Sequence, residues 1–155
     1  MASPARTEEA ALTTSETHDP AWALPNSVEQ QPDGSYAILC GKCQECATVV
    51  FPKPPICPTC LSTDIEVSRV SEGGTLYSYS VVHAARAGWQ APYGIAYVDF
   101  PQGVRICGPL ELTQGADIAL DAPVRVLAGT LRTDAGGKPV LSHRFEAVTT
   151  SGSQS

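Results

Sequence analysis

Residues 40–60, CGKCQECATVVFPKPPICPTC, decide the fold of this chain, because they contain five of its six cysteines. These are Cys40, Cys43, Cys46, Cys57 and Cys60. A CxxC pair at the tip of each of two hairpins lets four sulfurs converge at about 2.3 Å from one zinc ion. Four thiolates leave no open position for water or substrate, so the pattern predicts a structural zinc ribbon, although iron could occupy the same ligands.

Five cysteines for four places leave two registers open. The second CxxC pair belongs to both registers, and the question is whether Cys40 or Cys46 joins Cys43 in the first pair. Gly41 would ease a turn inside the first alternative, whereas the small Ala47 would ease the sharp turn that follows the second. The spacing alone does not choose between them.

The charge distribution bears on the class of partner. The formal net charge is -6, and residues 1–39 hold one arginine against six carboxylates, a net of -5, which leaves -1 for residues 40–155. Nucleic-acid binders usually present a strongly basic surface, because phosphate neutralisation supplies most of their affinity. A nucleic-acid-binding zinc-ribbon and OB module is therefore the alternative function, and the charge disfavours it.

The cysteine usage and the hydropathy indicate a cytoplasmic protein. The first residues, MASPARTEEAALTTSETHD, contain no apolar run that could form the core of a signal peptide. No window approaches the roughly 18 apolar residues that a membrane span needs. Clustered CxxC pairs in a reducing compartment are more typical of metal sites than of disulfides.

The chain divides into four segments by composition. Residues 1–22, rich in Ala, Ser, Thr and Glu, and residues 150–155 are predicted to be disordered, since they cannot bury enough apolar surface. The Pro-Asp-Gly turn at 32–34 precedes a strand at Tyr36–Leu39, and this predicts a hairpin that leads into the ribbon. We assign residues 23–68 to the ribbon with its leading hairpin and residues 69–149 to a second domain.

The second domain is predicted to be a small β-barrel. Five strand-like runs are separated by Gly-, Pro- and Asp-containing turns, with no helical stripe between them. The runs are TLYSYSVVH (75–83), YGIAYVDF (93–100), VRICGPL (104–110), APVRVLAGTL (122–131) and KPVLSHRFEAV (138–148). The fold class is therefore mainly β, with a five-stranded OB-fold barrel after the ribbon.

Alternation within the runs predicts which side chains face the core. In the first run Tyr77 and Tyr79 are expected on one face, with Leu76 on the other. In the third run Ile106 alternates with Cys107, which we expect to be an inert thiol that is at least half-buried. The tyrosines could form a stacking platform for single-stranded nucleic acid, but core and interface packing is favoured.

Two motif blocks resemble those of the acyl-CoA-associated zinc-ribbon OB-fold family. GKCQECATVVFPKPPICPTC (41–60) is followed by GTLYSYSVVH (74–83) and PYGIAYVDFPQGVRICGPL (92–110), in the order and at the separation found in that family. The resemblance extends over residues 39–148 and implies a rubredoxin-like zinc ribbon joined to an OB barrel.

The same resemblance implies a register for the metal ligands. The implied zinc ligands are Cys43, Cys46, Cys57 and Cys60. Cys40 is then a bystander at the end of a strand. Ala47 stands where members of the family usually have a glycine, and Lys53 and Pro54 replace a usual Pro-Arg pair. These differences affect the geometry of the local turns more than the assignment to the family.

The function implied by the resemblance is that of an accessory subunit. Members of the family are similar to obligate partners of thiolase-fold chains, which make or break carbon–carbon bonds of acyl-CoA substrates by thiolysis, Claisen transfer or retro-aldol cleavage. This chain would then hold a structural zinc, stabilise the catalytic chain in a hetero-oligomer and help to bind CoA or the acyl substrate. It would have no catalytic residues of its own.

Four residues are candidates for contact with CoA or with the partner. Arg86 and Trp89 lie in the loop AARAGWQAP, where a guanidinium and an indole suit a phosphate, an adenine or a protein interface. His83 ends the preceding run, and Lys53 lies between the cysteine pairs. A free-standing enzyme that uses Cys107 and His83 would need a nucleophile–base pair that the sequence does not show.

Overall fold

A computed structural model describes residues 21–113 and 117–149 of this 155-residue chain. Within these residues all regular secondary structure is β-strand, and no helix is long and apolar enough to cross a membrane. The predicted disordered segments at 1–22 and 150–155 lie outside the described residues, except for Ala21 and Trp22. These two residues form a short strand instead of tail.

The first sheet is the ribbon with its leading hairpin. Its strands are β2 (Val28–Gln30), β3 (Tyr36–Cys43), β4 (Val49–Val50) and β5 (Ile65–Val70), and β1 (Ala21–Trp22) precedes them. Strand β3 pairs antiparallel with β2 near its start, with β4 near its end, and with β5 along residues 38–43. The hairpin predicted around residues 32–34 is present, closed by hydrogen bonds between Gln31 and Ser35 and between Gly34 and Gln31.

The second sheet closes into the predicted five-stranded barrel. Its strands are β6 (Gly74–Val82), β7 (Tyr93–Asp99), β8 (Arg105–Leu110), β9 (Pro123–Thr133) and β10 (Pro139–Ala147). They follow the order β6-β7-β8-β10-β9, and β9 pairs again with β6. The contact of β8 with β10 is parallel, and the other pairs within the barrel are antiparallel. The fold class expected from the sequence is confirmed.

Ribbon and barrel share one apolar core. The largest buried side chains of the barrel are Phe145, Leu76, Ile106, Leu110 and Val98. Ile38 and Cys40 from β3 and Val70 from β5 belong to the same cluster of contacting side chains. The start of the ribbon is thus packed against the barrel, and Val49 and Phe51, from between the two cysteine pairs, also pack against this core.

Strand β6 departs from the predicted alternation. Leu76 pairs with Val98, but Ser78 pairs with Tyr97, so Tyr77 is an extra residue in a β-bulge. Leu76 faces the core, Tyr77 is exposed, and Tyr79 packs against the core again. The prediction that Tyr77 and Tyr79 share a face is wrong, because the bulge moves each later residue of the strand to the opposite face.

Strand β8 keeps its alternation, with one correction. Ile106 is buried and its neighbour Arg105 is exposed, as predicted. Cys107, which we expected to be at least half-buried, is exposed. It lies on the outer wall of the barrel, where the described part of the chain leaves the thiol accessible.

Candidate metal centre

The sulfurs of four cysteines meet at the far end of the ribbon. All four lie within 4.8 Å of one another, and none forms a disulfide. They are Cys43, Cys46, Cys57 and Cys60. The Cys43 and Cys60 sulfurs are 3.5 Å apart, and those of Cys46 and Cys57 are 3.6 Å apart. Ligands of a tetrahedron with metal–sulfur distances of about 2.3 Å lie about 3.8 Å apart, so the group fits the size of a zinc site.

The two CxxC segments form the same turn. The Ala47 N–H donates to the Cys43 carbonyl and the Cys43 N–H to the Thr48 carbonyl, at 3.0 and 2.9 Å. The Leu61 N–H donates to the Cys57 carbonyl and the Cys57 N–H to the Ser62 carbonyl, at 3.0 and 2.8 Å. Each turn aims two sulfurs at a common point, so the geometry of the site is determined by backbone hydrogen bonds.

Both turns end in a left-handed residue. Ala47 has φ 60° and Leu61 has φ 63°. A side chain in this region costs roughly 1 kcal/mol relative to glycine, because Cβ approaches the following carbonyl. The small Ala47 was expected at such a sharp turn, whereas nothing in the sequence marked Leu61.

The pKa values of the thiols differ because their hydrogen-bond partners and thiol neighbours differ. Hydrogen bonds with Thr48 lower the pKa of Cys46 to about 6, and the backbone N–H groups of Cys60 and Thr59 lower the pKa of Cys57. At Cys60 the backbone N–H of Ser62 acts to lower the pKa, but burial and the neighbouring thiols outweigh it and raise the pKa to about 12. Four thiolates this close repel one another, and a divalent cation at their centre would allow all four to ionise.

Cys40 lies apart from this group. Strand β3 continues beyond the predicted end at Leu39 as far as Cys43, so Cys40 is within the strand and not at its end. Its side chain is fully buried in the apolar core, and burial raises the pKa of its thiol to about 12. Of the two registers left open by spacing, the structure brings together the sulfurs of the one that the family resemblance implies.

A cavity of about 610 Å³ lies on the barrel, beneath the loop between β6 and β7. Trp89 lines it and packs on Tyr93, with ring centroids 5.0 Å apart. The loop is held against the end of β9, because the Thr133 N–H donates to the Gly88 carbonyl at 2.8 Å. Its volume lies within the range of known small-molecule pockets.

The cavity also contains residues that the sequence did not single out. Arg144 on β10 pairs with Glu111 and donates to the carbonyl of Thr130, and Arg132 on β9 lines the same space. Their strands are adjacent only because β10 pairs with β9 in the barrel. No local motif in the sequence identifies these arginines, since the cavity arises from the closure of the barrel.

The other three candidate contact residues are exposed, and none of them lines this cavity. Arg86 is in the same loop as Trp89, and its carbonyl accepts the Trp89 N–H at 3.1 Å. His83 follows the end of β6, and Lys53 is on the ribbon, where its side chain lies beside Gly41. Their contacts with CoA or with a partner remain predictions.

Comparison with known proteins identifies both parts of the chain. Residues 34–66 match the family described as "ChsH2, rubredoxin-like zinc ribbon domain", and residues 67–128 match "ChsH2, C-terminal OB-fold domain". The benzoylsuccinyl-CoA thiolase subunit BbsA of Thauera aromatica is 34% identical over 125 residues, which is 80% of this chain and 86% of that protein.

Two further relatives cover most of the chain. A DUF35 domain-containing scaffold protein of Methanocaldococcus jannaschii is 32% identical over 114 residues, 72% of this chain and 80% of that protein. The solved structure of an Ltp2-ChsH2(DUF35) aldolase superimposes with a TM-score of 0.57 at 26% identity, over 72% of this chain and 84% of that one. The protein therefore belongs to the ChsH2-type family of zinc-ribbon OB-fold proteins.

Proposed function

We propose that this protein is a non-catalytic accessory subunit of a cytoplasmic, hetero-oligomeric complex whose thiolase-fold chain makes or breaks carbon–carbon bonds of acyl-CoA substrates. The observation that carries the proposal is the match to a thiolase subunit and to a chain of an aldolase, each over more than four fifths of its own length. The match covers 86% of the thiolase subunit and 84% of the aldolase chain, so it supports the same role for this chain.

The ribbon supplies stability in this proposal. Cys43, Cys46, Cys57 and Cys60 hold a structural zinc ion, since four thiolates complete its tetrahedral shell. Such an ion contributes roughly 10 to 16 kcal/mol of apparent binding free energy to a small module. It supplies no reactive position, so the chemistry belongs to another chain.

The described residues contain no evident nucleophile–base pair that would support a free-standing enzyme. Cys107 is exposed on the outer wall of β8, and the backbone carbonyl of Cys107 accepts a hydrogen bond from His143 Nε2 at 2.9 Å. That bond holds the imidazole and does not activate the thiol. His83 follows the end of β6. Among the described residues, no hydrogen bond joins its side chain to the Cys107 sulfur.

The cavity is the proposed place of contact with CoA. Trp89 and Tyr93 offer an aromatic surface for the adenine, and Arg132 offers a guanidinium group for a phosphate. Arg86 would extend this positive charge from the loop. The alternative of nucleic-acid binding is disfavoured, because Arg69, Arg105, Arg125 and Arg144 are all paired with carboxylates.

Co-expression tests the proposal directly. The chain and the thiolase-fold protein encoded beside it should co-elute, and the pair should form or cleave the carbon–carbon bond of an acyl-CoA while neither chain does so alone. If the two chains elute separately and the stability and activity of the thiolase-fold chain are unchanged, the proposal is wrong.

The CoA contact has its own test within that complex. Trp89→Ala should raise KM for the acyl-CoA roughly tenfold, because it removes one stacking contact worth about 1 to 3 kcal/mol. Trp22→Ala, at a partly buried tryptophan on β1, is the matched control and should leave KM unchanged. An equal KM in both variants would show that the cavity is not part of the CoA site.

A further inference from the structure

The outer wall of the barrel carries an exposed apolar surface that the proposed function does not use. We call it the tyrosine face, and it consists of Tyr77, Ile95, Tyr97, Cys107 and Pro109. Tyr77 is 51% exposed and Tyr97 is 47% exposed, although both lie in regular strands. Tyr97 pairs with Cys107 and Ile95 pairs with Pro109, so these residues form one continuous surface across β7 and β8.

Tyr77 of the tyrosine face is held in place by its neighbours. The bulge in β6 turns Tyr77 outward, and bulges commonly re-aim a side chain in this way. The Arg105 guanidinium lies 3.4 Å from the centroid of the Tyr77 ring, and it donates two hydrogen bonds to Asp99 at 2.6 and 2.8 Å. Tyr77 would therefore lose little side-chain freedom on binding, which lowers the cost of association.

The charges at this surface indicate what it can bind. The charged pair beside it is self-neutralising, because Arg105 and Asp99 satisfy each other. A phosphate backbone or an anionic membrane would need an unpaired cation here, whereas an uncharged protein surface would not. Tyrosine and arginine are also the residue types enriched at the energetic centres of protein interfaces.

We infer that the tyrosine face is the surface by which this chain docks on the thiolase-fold catalytic chain; this inference rests on the proposed function. Pro109 belongs to the tyrosine face and also lines the cavity with Trp89, so a chain seated on the face would cover the edge of the cavity. The catalytic chain is the expected occupant, because relatives that this chain matches over most of their length are a subunit of a thiolase and a chain of an aldolase, and a second copy of this chain is an outcome of the test.

The test compares variants in the complex with the full-length catalytic chain. Tyr97→Lys should weaken the affinity of the two chains about 30-fold, as expected at a central interface residue, while Tyr97→Phe should retain most of it. Val67→Lys is the matched control, because Val67 is also 47% exposed in a strand but lies on the ribbon. Zinc content and thermal midpoint of each free variant should equal those of the wild type, which separates docking from folding.

Each outcome distinguishes the two proposals. If wild-type chains do not associate, the proposed function fails first. If they associate and Tyr97→Lys binds with unchanged affinity, or Val67→Lys weakens binding equally, the tyrosine face is not the docking surface and the proposed function stands. Light scattering that shows a wild-type dimer of this chain, made monomeric by Tyr97→Lys, would assign the face to a second copy and overturn the inference. Salt-dependent binding of a single-stranded oligonucleotide, lost in Tyr97→Lys, would also overturn it.

Discussion

The barrel and the far end of the ribbon are stabilised in different ways. The barrel encloses large apolar side chains that are almost completely buried, among them Phe145, Leu76 and Ile106. Between residues 42 and 64, which we call the knuckle end, the buried side chains are those of Cys43 and Cys57. A module of this size without an apolar core usually depends on a metal or on disulfides. We therefore expect the barrel to be stable through packing and the knuckle end to depend on its thiolates.

Removal of zinc should have the largest effect, and it should act on the knuckle end and not on the barrel. Chelation should release the knuckle end from hydrogen-exchange protection while the strands of the barrel stay protected, because the ion contributes roughly 10 kcal/mol to the ribbon alone. Hydrogen exchange measured by mass spectrometry, before and after chelation, resolves the two regions. Loss of protection in β7 and β8 together with the knuckle end would show that the regions are one cooperative unit.

Truncation of a core side chain should destabilise the barrel and leave the zinc content unchanged. Phe145 is fully buried beside Phe100 and His143, so Phe145→Ala should lower the free energy of unfolding of the barrel by about 3 to 5 kcal/mol. Thermal denaturation followed by circular dichroism measures this. Leu120→Ala, at a side chain that is 59% exposed, is the control and should change it by less than about 0.5 kcal/mol. Zinc content of Phe145→Ala at low temperature should remain that of the wild type.

Acid should weaken the contact between the two regions. His143 is 6% exposed, its Nε2–H donates to the Cys107 carbonyl at 2.9 Å, and its ring meets Phe51 of the ribbon edge-on. Burial lowers the pKa of His143 below its usual value near 6.5. The unfolded chain therefore binds more protons as the pH falls below about 6.5, and stability decreases there by up to about 1.4 kcal/mol per pH unit.

The control for this pH dependence is the exposed His83. Denaturant unfolding between pH 7 and pH 5.5 should show a shallower loss of stability in His143→Gln than in the wild type. His83→Gln should follow the wild type. Identical pH profiles for all three proteins would mean that His143 is not buried as a neutral ring.

The smallest expected effect concerns the backbone of the knuckle end. Ala47 is left-handed, so Ala47→Val should lower the thermal midpoint of the ribbon slightly, because a β-branched residue is disfavoured at positive φ. The change should be about 1 kcal/mol, whereas Ala47→Gly should stay within about 0.5 kcal/mol of the wild type, since the relieved strain is offset by chain entropy. A stabilised Ala47→Val variant would contradict the positive φ.

The sequence was sufficient for the five barrel strands along the chain and for the presence of a site with four thiolates, whereas the register of the ligands came from the family resemblance. The five barrel runs were recognisable because apolar and polar residues alternate, as at Ile106 and Arg105, and because turn residues such as Gly103 separate them. The two CxxC segments were recognisable because their function requires a fixed local spacing. Both signals are local, so they can be recognised without knowledge of the tertiary structure.

What the sequence did not predict depends on contacts between distant residues. The bulge at Tyr77 arises from its pairing with β7, and a run of alternating residues contains no sign of an extra residue. Ala21 and Trp22 have little strand pattern of their own, yet they pair in parallel with Val140 and Leu141. The arginines of the cavity are brought together only by the closure of the barrel.

The central claim is that four particular thiolates, and not the fifth cysteine nearby, hold the ion on which the ribbon depends. Zinc content per chain, measured by elemental analysis in Cys46→Ala and Cys40→Ala, tests it most directly. Because Cys46 belongs to the four-sulfur group and Cys40 is buried in the apolar core, the first variant should lose its zinc and the second should retain one ion per chain. Zinc retained in Cys46→Ala and lost in Cys40→Ala would contradict the account.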